Sequence, residues 1–278
     1  MNRHDGDIHS RANLRVGIGG FGAIGQAVAV GLGSIDGLAL SAISARRLDR
    51  AGEVANALRV DVPVVAAQDL VHHADVIVEC APATAYADIV EPAVEAGRVV
   101  ISVSVGALLE RMDLVETARS TGARIQVPSG AILGLDALRA AKLGTIDSVT
   151  MVTRKPPSGL QGVAYLEGQG IDVMAIREPT QVFAGSAAEG ARHFPANVNV
   201  AAAVGLAGLG PERTTLEVWV DPTINRNMHT VVVEADAVRF KVDIENVPST
   251  ENPRTGRLVA PSVLSSLERL VAPLVVGT

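Results

Sequence analysis

The stretch Arg15–Leu32, RVGIGGFGAIGQAVAVGL, carries six glycines between Gly17 and Gly31. Two G-x-G-x-x-G patterns overlap inside it, Gly17-Gly19-Gly22 and Gly20-Gly22-Gly25. A dinucleotide-binding turn needs its first glycine directly after a strand, a second where backbone approaches the pyrophosphate, and a third where helix packs close to sheet. Starting at Gly17 leaves only three residues, LRV, as strand; starting at Gly20 leaves LRVGIG and puts Gly25 one turn into an apolar helix. The second register is therefore the expected loop, with Gly20, Gly22 and Gly25 as its glycines. The helix start at Ala23 and Ile24 offers free N–H groups and a positive dipole end to phosphates.

Working outward, short β-branched runs alternate with helical patterns from Leu14 to about Val127. Six strands are expected: LRVGIG, LALSAIS (38–44), a weaker VPVVAA, DVIVECA (75–81), RVVISVS (98–104) and ARIQV (123–127). One helix is expected across ALLERMDLVETARSTG, with Leu108, Leu109, Met112 and Val115 at helical spacing and Gly122 as its stop. Strands alternating with crossover helices make a parallel sheet covered on both faces, so the fold class is α/β, doubly wound. A flavin or S-adenosylmethionine binder shares that pattern, since fold does not fix function.

After residue 132 strands follow one another: SVTMVTR, TTLEVWV, HTVVVEA and AVRFKVDIE. Short links between them imply an antiparallel or mixed sheet, hence a second, α+β domain. SAAEGARH and NVNVAAAVGLAG read as its helices. The last segment, APSVLSSLERLVAPLVVG, reads as a helix with Val263, Leu264, Leu267, Leu270, Val271 and Leu274 on one stripe, packing back on the first domain. The expected organisation is a flexible tail over 1–12, a dinucleotide domain over 13–132 joined by the helix 260–276, and a substrate and dimerisation domain over 133–259.

Across its 278 residues the chain is 48% hydrophobic and 19% charged, with net charge −6. That composition supports a sizeable core and gives no basic footprint for nucleic acid. Its single cysteine, Cys80, excludes an internal disulfide framework and a cysteine-built metal site, and points to a reducing compartment, the cytoplasm. The opening MNRHDGDIHSRAN lacks the apolar core of a secretory signal, and no apolar run reaches spanning length. No acidic or His/Cys cluster has metal-ligand spacing, and His4 and His9 read as tail residues.

The end of the second strand selects between NAD and NADP. NAD sites place Asp or Glu there for the ribose 2′-OH, and NADP sites offer Arg to the 2′-phosphate. Here the residues are SARR, so Arg46 and Arg47 predict that NADP is accepted alongside NAD. The plain alternative is a solvated helix start. Cys80, inside the dinucleotide domain, suits a small residue at the cofactor crevice better than a nucleophile, and Ala81 beside it is an expected cofactor contact. His72 and His73 precede a strand at the far end of the sheet. That leaves His193 and His229 for proton work, although a histidine at a strand start is more often structural than catalytic.

Taken together, VGIGGFGAIG, VPSGAILGLDAL, RKPP, FPANVNVAAAV, DPTINRNMHTV and NVPSTENPRTGRLVAPSVLSSL resemble the L-aspartate dehydrogenase family over nearly everything after residue 13. The resemblance implies NAD- or NADP-dependent oxidative deamination of L-aspartate to iminosuccinate. That product either feeds pyridine-nucleotide synthesis or hydrolyses to oxaloacetate and ammonia. It implies cofactor contacts at Ala131 and Asn199, a catalytic acid/base at His229, and a homodimer. Asn199 could alternatively serve as a helix N-cap. Two substrate carboxylates also need cations, and Arg192, Lys155, Arg226 and Arg254 all lie in the resembling motifs.

Related two-domain reductases are the nearest rivals. The paired-histidine and lysine signature of dihydrodipicolinate reductase is missing from the second half, and the catalytic segment of homoserine dehydrogenase is not recognisable. A non-catalytic NADP sensor with the same fold is the rival from another class.

Overall fold

The computed structural model describes residues 13–194, 199–249 and 256–277. The expected tail, with His4 and His9, lies outside them. The first sheet is built from β1 (Leu14–Gly19), β2 (Leu38–Ser44), β3 (Val76–Glu79), β4 (Val99–Ser102) and β5 (Arg124–Gln126). All its pairs are parallel, in the order β2-β1-β3-β4-β5. Its crossovers carry α1 (Ala23–Leu32), α2 (Leu48–Ala57), α3 (Leu70–His73), α4 (Tyr86–Glu95), α5 (Val105–Leu109) and α6 (Asp113–Thr121).

Strand alternation divides the sheet's side chains between two cores. Val16, Ile18, Val76, Val78 and Ile101 face α1, while Ile77 and Val100 face α3, α4 and α6. This is the doubly wound arrangement expected, with five strands rather than six. VPVVAA contributes only an isolated parallel bridge from Val64 to Ile43. Pro63 has no N–H to give a ladder, so the segment touches the edge of β2 without extending along it.

The single helix expected after β4 is two helices. α5 ends at Leu109 and α6 starts at Asp113, and Met112 between them is exposed. Asp113 at the new helix start binds Arg111 through a 2.9 Å ion pair, and Gly122 ends α6 with φ 78°, as a left-handed C-terminal glycine does.

The second half contains α7 (Leu135–Ala141), β6 (Ile146–Lys155), α8 (Ala164–Gly168), β7 (Thr180–Ser186), α9 (Ala187–His193), α10 (Asn199–Ala207), β8 (Thr215–Val220), β9 (Met228–Ala235) and β10 (Arg239–Glu245). Its sheet runs β10-β9-β6-β8-β7, mixed because β6 and β8 are parallel and the remaining pairs antiparallel. β7, TQVFAGS, is a strand the sequence reading does not contain. Ser186 ends it and starts α9 with a reciprocal capping box to Glu189.

α11 (Val259–Glu268) packs Val263 and Leu267 into the core beneath α1 and β1. A Cβ on Gly31 of α1 would run into Leu264, so that glycine is what lets the two helices approach. The helix is shorter than its apolar stripe suggests: Pro273 blocks continuation, and Leu274 is exposed.

Candidate active site

β1 delivers the chain to a glycine turn at the C-terminal edge of the first sheet. Gly20 has φ +98°, a left-handed conformation that side chains rarely adopt, and a Cβ there would also lie 2.7 Å from the Ala81 nitrogen. Gly22 begins α1 and faces open space. A Cβ on Gly25 would overlap the Gly20 carbonyl oxygen, so helix and turn touch there. The first turn of α1 holds neither an acidic residue nor a side-chain cap, which leaves the N–H groups of Ala23 and Ile24 for an anion. Gly17 and Gly19 lie within β1 against Leu70, Ala74 and Ile89, and serve packing. The turn thus has the space and donors that a dinucleotide diphosphate requires.

The end of β2 lies beside this turn, the Gly20 N–H donating to the Ser44 carbonyl at 2.8 Å. Arg46 and Arg47 follow it, exposed, with no side-chain hydrogen bond or ion pair among the described residues. Cys80 is tucked under the turn, its thiol donating to the Gly20 carbonyl at 3.1 Å. Burial pushes that thiol well above its usual pKa, which leaves it inert.

Between the halves runs a cleft enclosing about 160 Å³. Ile24, Val103, Val105, Ser129 and Ala131 line it from the first half and the crossover segment. Lys155, Asn199, Asn227, His229 and Asn246 line it from the second. Strand alternation explains the pairing. Met151, Thr153 and Lys155 alternate onto the inner face of β6, and register sets Thr153 opposite His229 on β9.

His229 is 4% exposed, with Nδ1 3.1 Å from Thr153 Oγ1. Burial, and then the charge of Lys155, push its pKa down to about 3. Lys155 is itself buried, which pulls its pKa down to about 8. Asn199 Oδ1 accepts from the Gly106 N–H of α5 at 2.9 Å and so ties the halves together across the cleft, leaving its two amide hydrogens for a ligand. Asn246 Nδ2 donates to the Ala131 carbonyl at 3.2 Å, a second tie. A neutral imidazole, a buried ammonium and carboxamides facing an apolar wall can bind an anionic substrate and accept a proton from it.

Residues 136–270 match the family model described as aspartate dehydrogenase, C-terminal, and residues 20–128 match homoserine dehydrogenase, NAD binding domain. The L-aspartate dehydrogenase of Bradyrhizobium diazoefficiens is 48% identical over 98% of this chain and 97% of its own length. The chain belongs to the L-aspartate dehydrogenase family. L-aspartate dehydrogenase 3 of Bordetella bronchiseptica is likewise 48% identical, over 98% of this chain and all of its own. The crystal structure of an aspartate dehydrogenase from Thermotoga maritima superposes with a TM-score of 0.71 at 26% identity, covering 95% of this chain and 100% of that one.

In this member of the aspartate dehydrogenase family, His229, Asn199, Ala131 and Ile24 meet in the cleft, and Gly20, Gly22, Ala23 and Gly25 form the turn beside it. Ala81 sits under the turn with its N–H committed to Glu79 at 2.9 Å. Of the four cation candidates, Lys155 lines the cleft. Arg192 is exposed on α9, Arg226 donates to Asn225, and Arg254 lies outside the described residues. His193 stacks on Tyr165, ring centroids 4.1 Å apart, and belongs to an aromatic cluster with Phe183 and Phe194. His72 and His73 end α3, ahead of β3 and so at the opposite edge of the sheet from the turn.

Sequence reasoning did not single out Thr153, Asn227, Asn246 or Glu79. The alternation of β6 was a usable signal for Thr153. Glu79, a carboxylate inside the apolar run Val76–Cys80, was itself a signal. Among the described residues no group of three or more His, Cys, Asp or Glu is placed to hold a metal, and no helix is long and apolar enough to cross a membrane.

Proposed function

We propose that the chain oxidises L-aspartate to iminosuccinate with NAD or NADP, the imine then hydrolysing to oxaloacetate and ammonia. The observation that carries this reading is the buried His229–Lys155 pair facing the cleft beside a dinucleotide turn. Gly20, Gly22, Ala23, Ile24 and Gly25 hold the diphosphate, Arg46 and Arg47 the 2′-phosphate of NADP, and Ala131 and Asn199 the nicotinamide end. Bound there, the cofactor supplies the acceptor for the hydride leaving the substrate Cα.

His229, kept neutral by burial, takes the proton that the substrate ammonium must lose before hydride can leave. Thr153 Oγ1, 3.1 Å from Nδ1, holds the ring in place; in the tautomer whose Nδ1–H donates to that hydroxyl, Nε2 is the free base. Lys155 supplies positive charge to a substrate carboxylate, and that bound anion in turn makes a protonated His229 easier to sustain. Ile24, Val103 and Val105 exclude water from the reacting face. The functional division then runs between residues 13–132, with the C-terminal helix, and residues 133–259.

The chain works in the cytoplasm, consistent with its single, unpaired cysteine, and as a homodimer through the outer face of the second sheet. The test follows nicotinamide reduction with L-aspartate, L-homoserine or no substrate. Reduction specific to L-aspartate is expected, and His229→Ala should lose at least a hundredfold in kcat while still binding the cofactor. Near-wild-type turnover in that variant removes His229 from the mechanism.

A further inference from the structure

Glu79 takes no part in the chemistry above, yet its carboxyl is fully buried at the end of a strand that otherwise reads Val76-Ile77-Val78. A carboxylate stripped of water is tolerated only where donors replace the water, and three do so here. Oε1 accepts from the Ala81 N–H at 2.9 Å and the Ser104 hydroxyl at 2.8 Å, and Oε2 accepts from the Ser104 N–H at 2.9 Å. The Val103 N–H also donates to the Glu79 carbonyl at 3.1 Å.

These bonds reach both lips of the cofactor crevice. Ala81 is the residue packed against Gly20 of the glycine turn. Ser104 stands at the N-cap of α5, but its hydroxyl makes no cap bond to that helix. It turns to Glu79, and lies 3.0 Å from the Ala81 carbonyl as well. Two residues on, the Gly106 N–H, one of the first-turn donors of α5, meets Asn199 across the cleft.

We propose that Glu79 is a positioning residue: by gripping Ser104 it fixes the start of α5, and through the Gly106–Asn199 bond it sets the Asn199 amide against the cofactor. This deepens the functional reading above and rests on it. One buried carboxyl thereby couples the glycine turn, α5 and the second half.

The test measures the NADPH dissociation constant by fluorescence titration, alongside kcat, the KM for L-aspartate and the melting temperature. The proteins are wild type, Glu79→Gln, Ser104→Ala, Asn199→Ala and the double variant Ser104→Ala/Asn199→Ala. Ser104→Ala keeps the backbone bond to Glu79, so it carries the test if Glu79→Gln does not fold. Each single variant should weaken NADPH binding about tenfold with KM for L-aspartate within twofold. The double variant should bind no more weakly than Asn199→Ala alone, because the two act in one chain. Lower melting temperatures with unchanged NADPH affinity, or losses that multiply in the double variant, overturn the proposal and leave Glu79 a stabilising group. NADH is titrated alongside, and the tenfold loss is read on whichever of the two the wild type binds; a wild-type chain that binds neither overturns the functional reading and this proposal together.

Discussion

Two titrating side chains share the cleft, and burial moves both towards the neutral form. His229, ordinarily half-protonated near 6.5, is pushed down to about 3 and so remains a base throughout the neutral range. Lys155, pulled down to about 8, is charged below that pH and neutral above it. The sign of the consequence is fixed: a dicarboxylate held by Lys155 must bind more weakly as pH rises through 8. Succinate tests this cleanly, since it has no amine to titrate and is dianionic over neutral and alkaline pH. Its inhibition constant should rise about tenfold for each pH unit beyond 8, and Lys155→Met should be weak and flat throughout. A wild-type constant independent of pH from 7 to 10 removes Lys155 as the carboxylate partner. The same scale decides cofactor preference. Each exposed Arg–phosphate contact contributes a modest, salt-screened energy, about 1 kcal/mol. Arg46→Ala/Arg47→Ala should therefore raise the KM for NADP roughly tenfold or more and leave that for NAD unchanged. Equal NADP values in variant and wild type would return both arginines to the solvated helix start.

At the scale of elements, the glycine turn is the junction that tolerates least change. Gly25→Ala places a methyl against the Gly20 carbonyl, a backbone atom that cannot swing aside as a side-chain end can. The variant should lose dinucleotide binding by an order of magnitude or more, read by fluorescence titration, while a Gly22→Ala variant, whose methyl meets open space in the free protein, should fold normally. Elements also show where the sequence was legible. β1 and the inner strands are written in near-continuous apolar runs, because both faces of the sheet are buried, and α1 in a helical apolar pattern. Edge elements are settled by their partners. VPVVAA has strand composition, yet Pro63 denies it a ladder. TQVFAGS mixes the strand formers Thr180, Val182 and Phe183 with Gln, Ala, Gly and Ser, and β8 pairs with it along its length, with one irregularity between Gln181 and Phe183. The helix is interrupted at Glu110–Met112, where Arg111 pairs with Asp113 at the start of α6, a break that periodicity does not register. The site divides likewise. Motif-bearing residues such as Gly20, Asn199 and His229 could be named beforehand. Thr153 and Glu79 carried only the fainter signals of strand alternation and a carboxylate in an apolar run, and Asn246 gains meaning only from what it touches across the fold.

The whole molecule leaves one face of its second sheet without a covering layer. The inner face, with Thr153, Lys155 and His229, packs on the cleft and helices. The outer face presents Val152, Trp219, Met228 and Val232, each only partly buried, ringed by Arg154, Lys241, Asp243 and Glu234. The ring is largely satisfied within the chain: Lys241 pairs with Asp243 at 2.9 Å, Glu234 with Arg239 at 2.8 Å, and Arg154 lies over the Trp219 ring. An apolar centre inside a self-neutralised polar rim is the anatomy of a subunit interface. With strands about 4.8 Å apart and a rise of about 3.3 Å per residue, such a face offers roughly 600 Å² per partner. Two copies would bury about 1,200 Å², the lower end of stable interfaces. Under two-fold symmetry a substitution at the centre enters twice. Val232→Lys, which would stand beside Lys241, should therefore convert a dimer into a monomer in sedimentation equilibrium at micromolar concentration. Because Val232 points away from the cleft, NADPH affinity should remain within twofold of wild type. A wild-type chain that sediments as a monomer, or a Val232→Lys variant that stays dimeric, would show that the outer face is not where two copies meet.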